Sequence, residues 1–236
     1  MFDFFKRSPS SSIGRLVKRL TDTGGEDGPR IEAAEKLADM DTPEATYALL
    51  KRFTMSSKVI TQDIEEKRNI VRMLTDKGED AVEPILRFLG THHQVEWAVQ
   101  ALGGILSREE LVPKLVDVLE NVAQNPFTSP EHRASLIKAM HGQVTPEIGA
   151  ILKKSLEDDD DDVRIAAIHA LAELGESGRE SLLESFVNSG DRPRIRIAIA
   201  EVFAEREWPV KGFRPKVEGA LPQGFGLNAK GLIRRL

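Results

Sequence analysis

The chain has 236 residues, 40% apolar and 30% charged, enough for a substantial core beneath a well-solvated surface. It has no cysteine, which excludes disulfides, thiolate metal sites and cysteine nucleophiles; one Tyr and two Trp are a poor supply for a β-sandwich. Net charge is −5, and from Pro209 onward six basic residues stand against Glu218 alone. A tail of +5 therefore follows a body of −10, which argues against nucleic-acid binding along the body.

The first residues, Met1-Phe2-Asp3-Phe4-Phe5-Lys6-Arg7, are apolar over too short a stretch for a signal peptide, and their charge follows the apolar part. No run approaches the roughly 18–20 apolar residues of a membrane span, so no span is expected and the cytoplasm is the expected location. Residues 1–10 read as an N-terminal apolar and basic segment. Phe2, Phe4 and Phe5 are expected to cover the first helices, with insertion into a partner or a membrane surface as the alternative.

From residue 11 a pattern recurs. Arg164 is followed at i+3 and i+7 by Ala167 and Leu171, positions that share one helix face. The same spacing appears at Arg30 (Ala33, Leu37), Lys67 (Ile70, Leu74), Val95 (Ala98, Leu102), Arg133 (Leu136, Met140) and Arg196 (Ile199, Phe203). In chain order the anchors lie 37, 28, 38, 31 and 32 residues apart, the length of a helix–turn–helix with a variable loop. Each anchor has a partner helix upstream, predicted at Ser12–Leu20, Glu44–Phe53, Ala81–Leu89, Glu109–Val122, Glu147–Leu156 and Glu180–Val187. Thr42-Pro43-Glu44, Ser129-Pro130-Glu131 and Thr145-Pro146-Glu147 place a capping hydroxyl before Pro at the first helical position. Gly78, Gly90, Gly142, Gly175 and Gly190 fall where helices should stop in the left-handed conformation. Alanines collect on the second helix of each pair, which permits close stacking. A single pair cannot bury both apolar faces, so the pairs must pile into an array.

The stretch from Leu156 to Gly175, LEDDDDDVRIAAIHALAELG, resembles a HEAT repeat, in particular the short HEAT-like repeats of phycobilin lyases. The resemblance is clear in the fifth copy, weaker in the others, and covers about residues 11–206. It implies an all-α fold: a right-handed α-α superhelix of about six HEAT-like pairs. First helices would line the convex side and second helices the concave side. Residues 207–236 read as a Gly/Pro-rich basic tail forming a non-helical C-terminal cap in extended or turn form.

The acidic run Asp158–Asp162 lacks the ligand spacing, central Gly and closing Glu of a calcium loop. Asp at this turn is usual in HEAT repeats, where it caps the second helix and pairs with the basic anchor. The anchors Arg30, Lys67, Arg133, Arg164 and Arg196 are accordingly expected to form an inter-repeat ladder with turn acids, in preference to a row of phosphate ligands. Two, five and nine residues after each anchor, side chains should point away from the core face. The centre of that surface offers Asn69, Arg72, Trp97, Gln100, Lys138 and His169, with acidic residues at both ends. Arg and Trp among amides suit a protein-binding hot spot; simple packing of Trp97 against its neighbour is an equal alternative. His92-His93 point in divergent directions and make poor joint metal ligands. In the tail, Phe213, Val217, Leu221 and Phe225 are expected to cover the last helix, while Lys230, Arg234 and Arg235 are candidates to hold an acidic partner.

No phosphate loop, catalytic triad, HExxH or paired-carboxylate motif is present, and no cofactor or metal is called for. The expected function is a non-enzymatic scaffold or adaptor binding another protein on the concave face. The resemblance also supplies two alternatives, a phycobilin-lyase-like chromophore-binding protein and a HEAT-like DNA glycosylase. The acidic body, and Ala101 where an acid would follow Trp97 by one turn, speak against the glycosylase.

Overall fold

A computed structural model describes residues 9–236, and among these the chain forms thirteen α-helices and one two-stranded sheet. Phe2, Phe4 and Phe5 lie outside the described residues. The chain divides into two compact units, residues 1–114 and 115–236.

In the first unit the pairs are α1 (Pro9–Leu20) with α2 (Gly28–Ala38), α3 (Pro43–Leu50) with α4 (Ile60–Asp76), and α5 (Val82–Leu89) with α6 (Glu96–Ile105). A 3-10 turn, Lys51–Thr54, prolongs α3, and another, Gly78–Ala81, leads into α5. The second helices α2, α4 and α6 pack as one row, and the first helices α1, α3 and α5 as another. The chain continues with α7 (Arg108–Gln124). In the second unit α8 (Pro130–Ala139), α10 (Asp161–Leu171) and α12 (Pro193–Glu205) form the second-helix row, with α9 (Pro146–Ser155) and α11 (Glu176–Asn188) beside it. Each predicted helix is found, with ends displaced by a few residues.

The periodic positions explain the packing. Ala33 and Leu37, Ile70 and Leu74, Ala98 and Leu102, Leu136 and Met140, Ala167 and Leu171, and Ile199 and Phe203 are all at most 2% exposed. At about 1.5–3 kcal/mol per large aliphatic or aromatic side chain removed from water, this seam is the main force holding each unit together. The alanines let backbones approach: Ala33 and Ala34, Ala98 and Ala101, Ala166, Ala167 and Ala170, and Ala198 and Ala200 are all buried. Closest of all is Gly178 on α11, where a Cβ would lie 2.0 Å from the Leu171 carbonyl oxygen.

The caps follow the sequence. Thr42, Ser129 and Thr145 accept from the backbone N–H of Ala45, His132 and Ile148 respectively. Gly78, Gly142, Gly175 and Gly190 have positive φ, whereas Gly90 ends α5 at φ −74°, a conformation open to any residue. The left-handed stop expected there is not formed.

The tail combines a short helix, α13 (Arg214–Glu218), with an antiparallel pair, β1 (Phe225–Leu227) and β2 (Ile233–Arg235). Strand β2 packs on α12 and α13 on α11. Val210, Val217 and Ile233 are buried, and Trp208 meets Phe203 edge-on at 5.5 Å. One helical turn thus sits among the breakers because Pro215 occupies an N-terminal helical position that needs no N–H.

Candidate functional site

Four of the six predicted contact residues lie on α4 and α6 of the first unit and two on α8 and α10 of the second. Five residues after the four central anchors the side chains face solvent as expected: Arg72, Gln100, Lys138 and His169 are all exposed. The position two residues after is different. Asn69 and Trp97 are half-buried, and in the second unit the equivalent Ala166 and Ala198 are buried. There the close packing of α10 on α8 and α12 covers this column, so it belongs to the seam between repeats.

Asn69 and Arg72 are brought together, Arg72 Nη2 donating to Asn69 Oδ1 at 3.2 Å. They stand at a cavity of about 270 Å³ between α2 and α4, whose walls include Ile31, Ala34 and Met73. Its floor is a buried ionic network that the sequence reading assigned only in part. Arg30 donates through Nε and Nη2 to the Glu66 carboxylate. Arg52 donates to Glu66 at 2.9 Å and to Asp63 at 2.6 Å. Lys67 pairs with Asp63 at 2.7 Å, and the Ser57 N–H donates to the same carboxylate at 3.0 Å. Arg30 and Arg52 are 2% and 1% exposed. Burial pushes the Glu66 carboxyl up, but the hydrogen bonds from Arg30 and Arg52 outweigh it and hold the group below the usual carboxylate range. Asp63 behaves alike, with burial opposed by Lys67 and Arg52.

Arg30 and Arg133 do two jobs, and the expected ladder is only one of them, whereas Lys67 pairs with Asp63 on its own helix instead of with a turn acid of a neighbouring repeat. Each arginine first ties its helix to the loop before it. Arg30 donates to the carbonyls of Asp22, Gly25 and Glu26, Arg133 to Thr128, and Arg164 to Asp158, while Arg196 reaches the Ser189 hydroxyl. The inter-repeat acid comes second. Arg133 grips Asp158 with two nitrogens at 2.9 and 3.0 Å, a turn acid as predicted. Arg30 instead takes Glu66, which lies within the next second helix.

Four of the five side chains of the acidic run fill structural roles, and that of Asp159 is exposed. Asp160 caps α10, accepting from the N–H groups of Asp162 and Val163. Asp161 pairs with Arg192 and Asp162 with Arg194. Among the described residues no three His, Asp or Glu side chains are grouped to hold a metal ion. His141 and the Gly142 N–H both reach Glu173, joining the columns of neighbouring repeats. In the tail, Arg234 pairs with Glu207 and Arg235 with Glu201; Lys230 is exposed in the turn capped by Asn228.

Comparison with known proteins agrees with the helical pairs. Residues 122–204 match the family model of HEAT repeats, and the described residues of both units are built mainly from paired α-helices. No curated protein sequence matches the chain. Among solved structures, a designed armadillo repeat protein in complex with a (KR)4 peptide aligns at 17% identity over 81% of this chain and 99% of its own, with a TM-score of 0.35. Human deoxyhypusine hydroxylase in complex with glycerol aligns at 16% identity over 89% of this chain and 78% of its own, with a TM-score of 0.32. Among the described residues no helix is long and apolar enough to cross a membrane.

Proposed function

We propose that this chain is a non-enzymatic interaction module, working in the cytoplasm, that holds another protein on its second-helix face. Asn69, Arg72, Trp97 and Gln100 supply the contacts in the first unit, Lys138 and His169 those in the second. The short repeat type of the phycobilin lyases, carried by Leu156–Gly175, is the building unit in this reading, used as a frame without the lyase chemistry. The observation that carries it is the face built by α4 and α6. Trp97 is half-buried and Arg72 and Gln100 are exposed on these helices, and Asn69 and Arg72 also line the cavity of about 270 Å³ between α2 and α4. A large aromatic ring and a guanidinium held by a neutral amide give much contact area with little side-chain ordering left for binding. The acidic body disfavours nucleic acid as the partner. In the tail, Arg234 and Arg235 are engaged by glutamates, so an acidic partner contact there falls mainly to Lys230.

Affinity purification of the full chain from native lysate, followed by mass spectrometry, tests the reading. A protein partner should be recovered with the wild type and lost with the R72A/W97A double variant, whose helical circular dichroism should match the wild type. Recovery of the same proteins by both would overturn the assignment of this face. Absence of any partner would count against the function itself.

A further inference from the structure

The first-helix row of the first unit carries a polar cluster that neither the core nor the second-helix face uses. Tyr47 lies on α3, and Lys51 follows it by one helical turn, opening the 3-10 segment. Arg87 lies on α5, with Thr91 and His92 in the loop after it. The Arg87 guanidinium is 4.0 Å from the Tyr47 ring centroid and the Lys51 ammonium 4.9 Å from it.

The hydrogen bonds fix these groups in one sense. Lys51 Nζ has only protons to give, so at 2.8 Å from His92 Nε2 it is the donor and that nitrogen is unprotonated. His92 Nδ1–H then donates to Thr91 Oγ1 at 2.8 Å, and the Thr91 hydroxyl donates to the Arg87 carbonyl at 2.9 Å. Tyr47 OH donates to the same Thr91 oxygen at 3.3 Å. The imidazole lies flat on Phe88, centroids 4.3 Å apart and planes 5° from parallel, and Phe88 is fully buried. A ring anchored in the core thus holds the Lys51 ammonium through a neutral acceptor. Glu44 and Glu83 precede Tyr47 and Arg87 on the same helices and are exposed, while both cations lie against the Tyr47 ring and Lys51 also reaches His92. Two cations are therefore held beside one aromatic ring.

We propose that this cluster is a binding site for a phosphate monoester. Lys51 and Arg87 are its cationic ligands, and His92 is a positioning residue for the ammonium. A dianion gains from both charges at once, and a guanidinium fork beside a point-charge ammonium suits tetrahedral oxygens better than a flat carboxylate. The ester can be free in solution or borne by a phosphoserine of a partner chain. The site is independent of the second-helix face and does not depend on the function proposed for it.

Calorimetric titration of the full chain with inorganic phosphate, O-phosphoserine and acetate tests this. Phosphate or phosphoserine should bind saturably, with acetate much weaker. K51A/R87A should weaken binding roughly tenfold or more. K153A/K154A, which removes the same charge from α9, should leave it unchanged. H92A should weaken it less than the double variant, and His92→Gln, whose amide oxygen can still accept from Lys51, should restore it. Tighter binding of phosphoserine than of phosphate would identify a partner-borne ester, and equal binding the free anion; either supports the site. As a reading that needs no variant, phosphate should shift the backbone amide resonances of Lys51, Thr91 and His92 and spare residues 150–156. The proposal is overturned if neither phosphate compound binds saturably, if acetate binds as well, or if K153A/K154A weakens binding as much as K51A/R87A.

Discussion

The two units join consecutive second helices with the same chemistry placed at different depths. In the first, Arg30, Arg52, Asp63, Glu66 and Lys67 form a network beneath the surface, with both arginine side chains at most 3% exposed. In the second, Arg133–Asp158 is 19% and 16% exposed at its side chains, and Arg194–Asp162 is 59% and 63% exposed. Depth decides what each contact is worth. Charges taken from water have lost hydration that only their partners replace, so a buried pair contributes little net stability but is costly to break. An exposed pair keeps its water and loses little when broken. Both units are held by their apolar seams; in the first a buried network adds contacts that are costly to break, and in the second the pairs lie nearer the surface.

The largest expected effect follows from Glu66. Removing its carboxylate leaves Arg30 Nε and Nη2 and Arg52 Nε without their carboxylate acceptor at a buried position. Glu66→Ala should destabilise the first unit by about 3–5 kcal/mol, the range for breaking one partner out of a buried ionic cluster. Glu66→Gln, which keeps the volume and one acceptor oxygen, should lose less. Urea unfolding gives the size of the loss. Hydrogen exchange localises it: protection should fall across α2 and α4 and hold in α10. If both variants unfold as the wild type does, depth is not what separates the units.

Acid should act next, and the sign follows from the direction of the shifts. Asp63 and Glu66 are held below the usual carboxylate range, so they bind protons less readily folded than unfolded. Their contribution is complete above about pH 5, where unfolded carboxylates are ionised, and is lost as pH falls through the folded values. Asp158 adds a third such group in the second unit, where Arg133 and the Asp160 N–H overcome the effect of burial. Unfolding free energy measured from pH 7 to pH 3 should stay level and then drop. The drop should be shallower in Glu66→Gln, from which one of the responsible groups is missing. An unchanged acid slope in that variant would mean that Glu66 takes no part.

This difference in depth also marks how far the sequence could be read. The i, i+3, i+7 apolar positions and the Thr-Pro-Glu starts gave the helices their type, order and approximate ends, because each rests on local periodicity or a local cap. Arg133 with Asp158 was legible for a similar reason: the acid sits in a turn whose position the repeat fixes. Arg52 was not, since nothing local tells an arginine in the 3-10 turn after α3 that it faces Asp63 and Glu66 of α4. The spacing of Asp63 and Lys67 at i and i+4 was the one available signal for that network. Trp97 and Asn69 are half-buried, and the sequence alone leaves open whether Trp97 faces a partner or packs on its neighbour, because burial two residues after an anchor depends on how closely the next helix approaches. The Tyr47, Arg87 and His92 cluster joins residues more than 40 apart, and only the fold assembles it.

The smallest effects should come from the second unit, and their order there isolates depth from chemistry. Asp158→Asn keeps size and shape but gives up the charge that Arg133 grips and weakens the acceptor for the Asp160 N–H. Because the pair is only partly shielded, a loss of about 1 kcal/mol is expected, well below that for Glu66. Asp162→Asn removes an arginine contact of the same kind from a site open to water on both sides, and should leave the urea midpoint unchanged. Both acids sit in one five-residue run and both face an arginine of a neighbouring repeat. A graded loss from Glu66 through Asp158 to Asp162 therefore isolates burial as the variable. Equal losses at Asp158 and Asp162 would instead assign the effect to net charge in the run, and the contrast between the units would no longer stand.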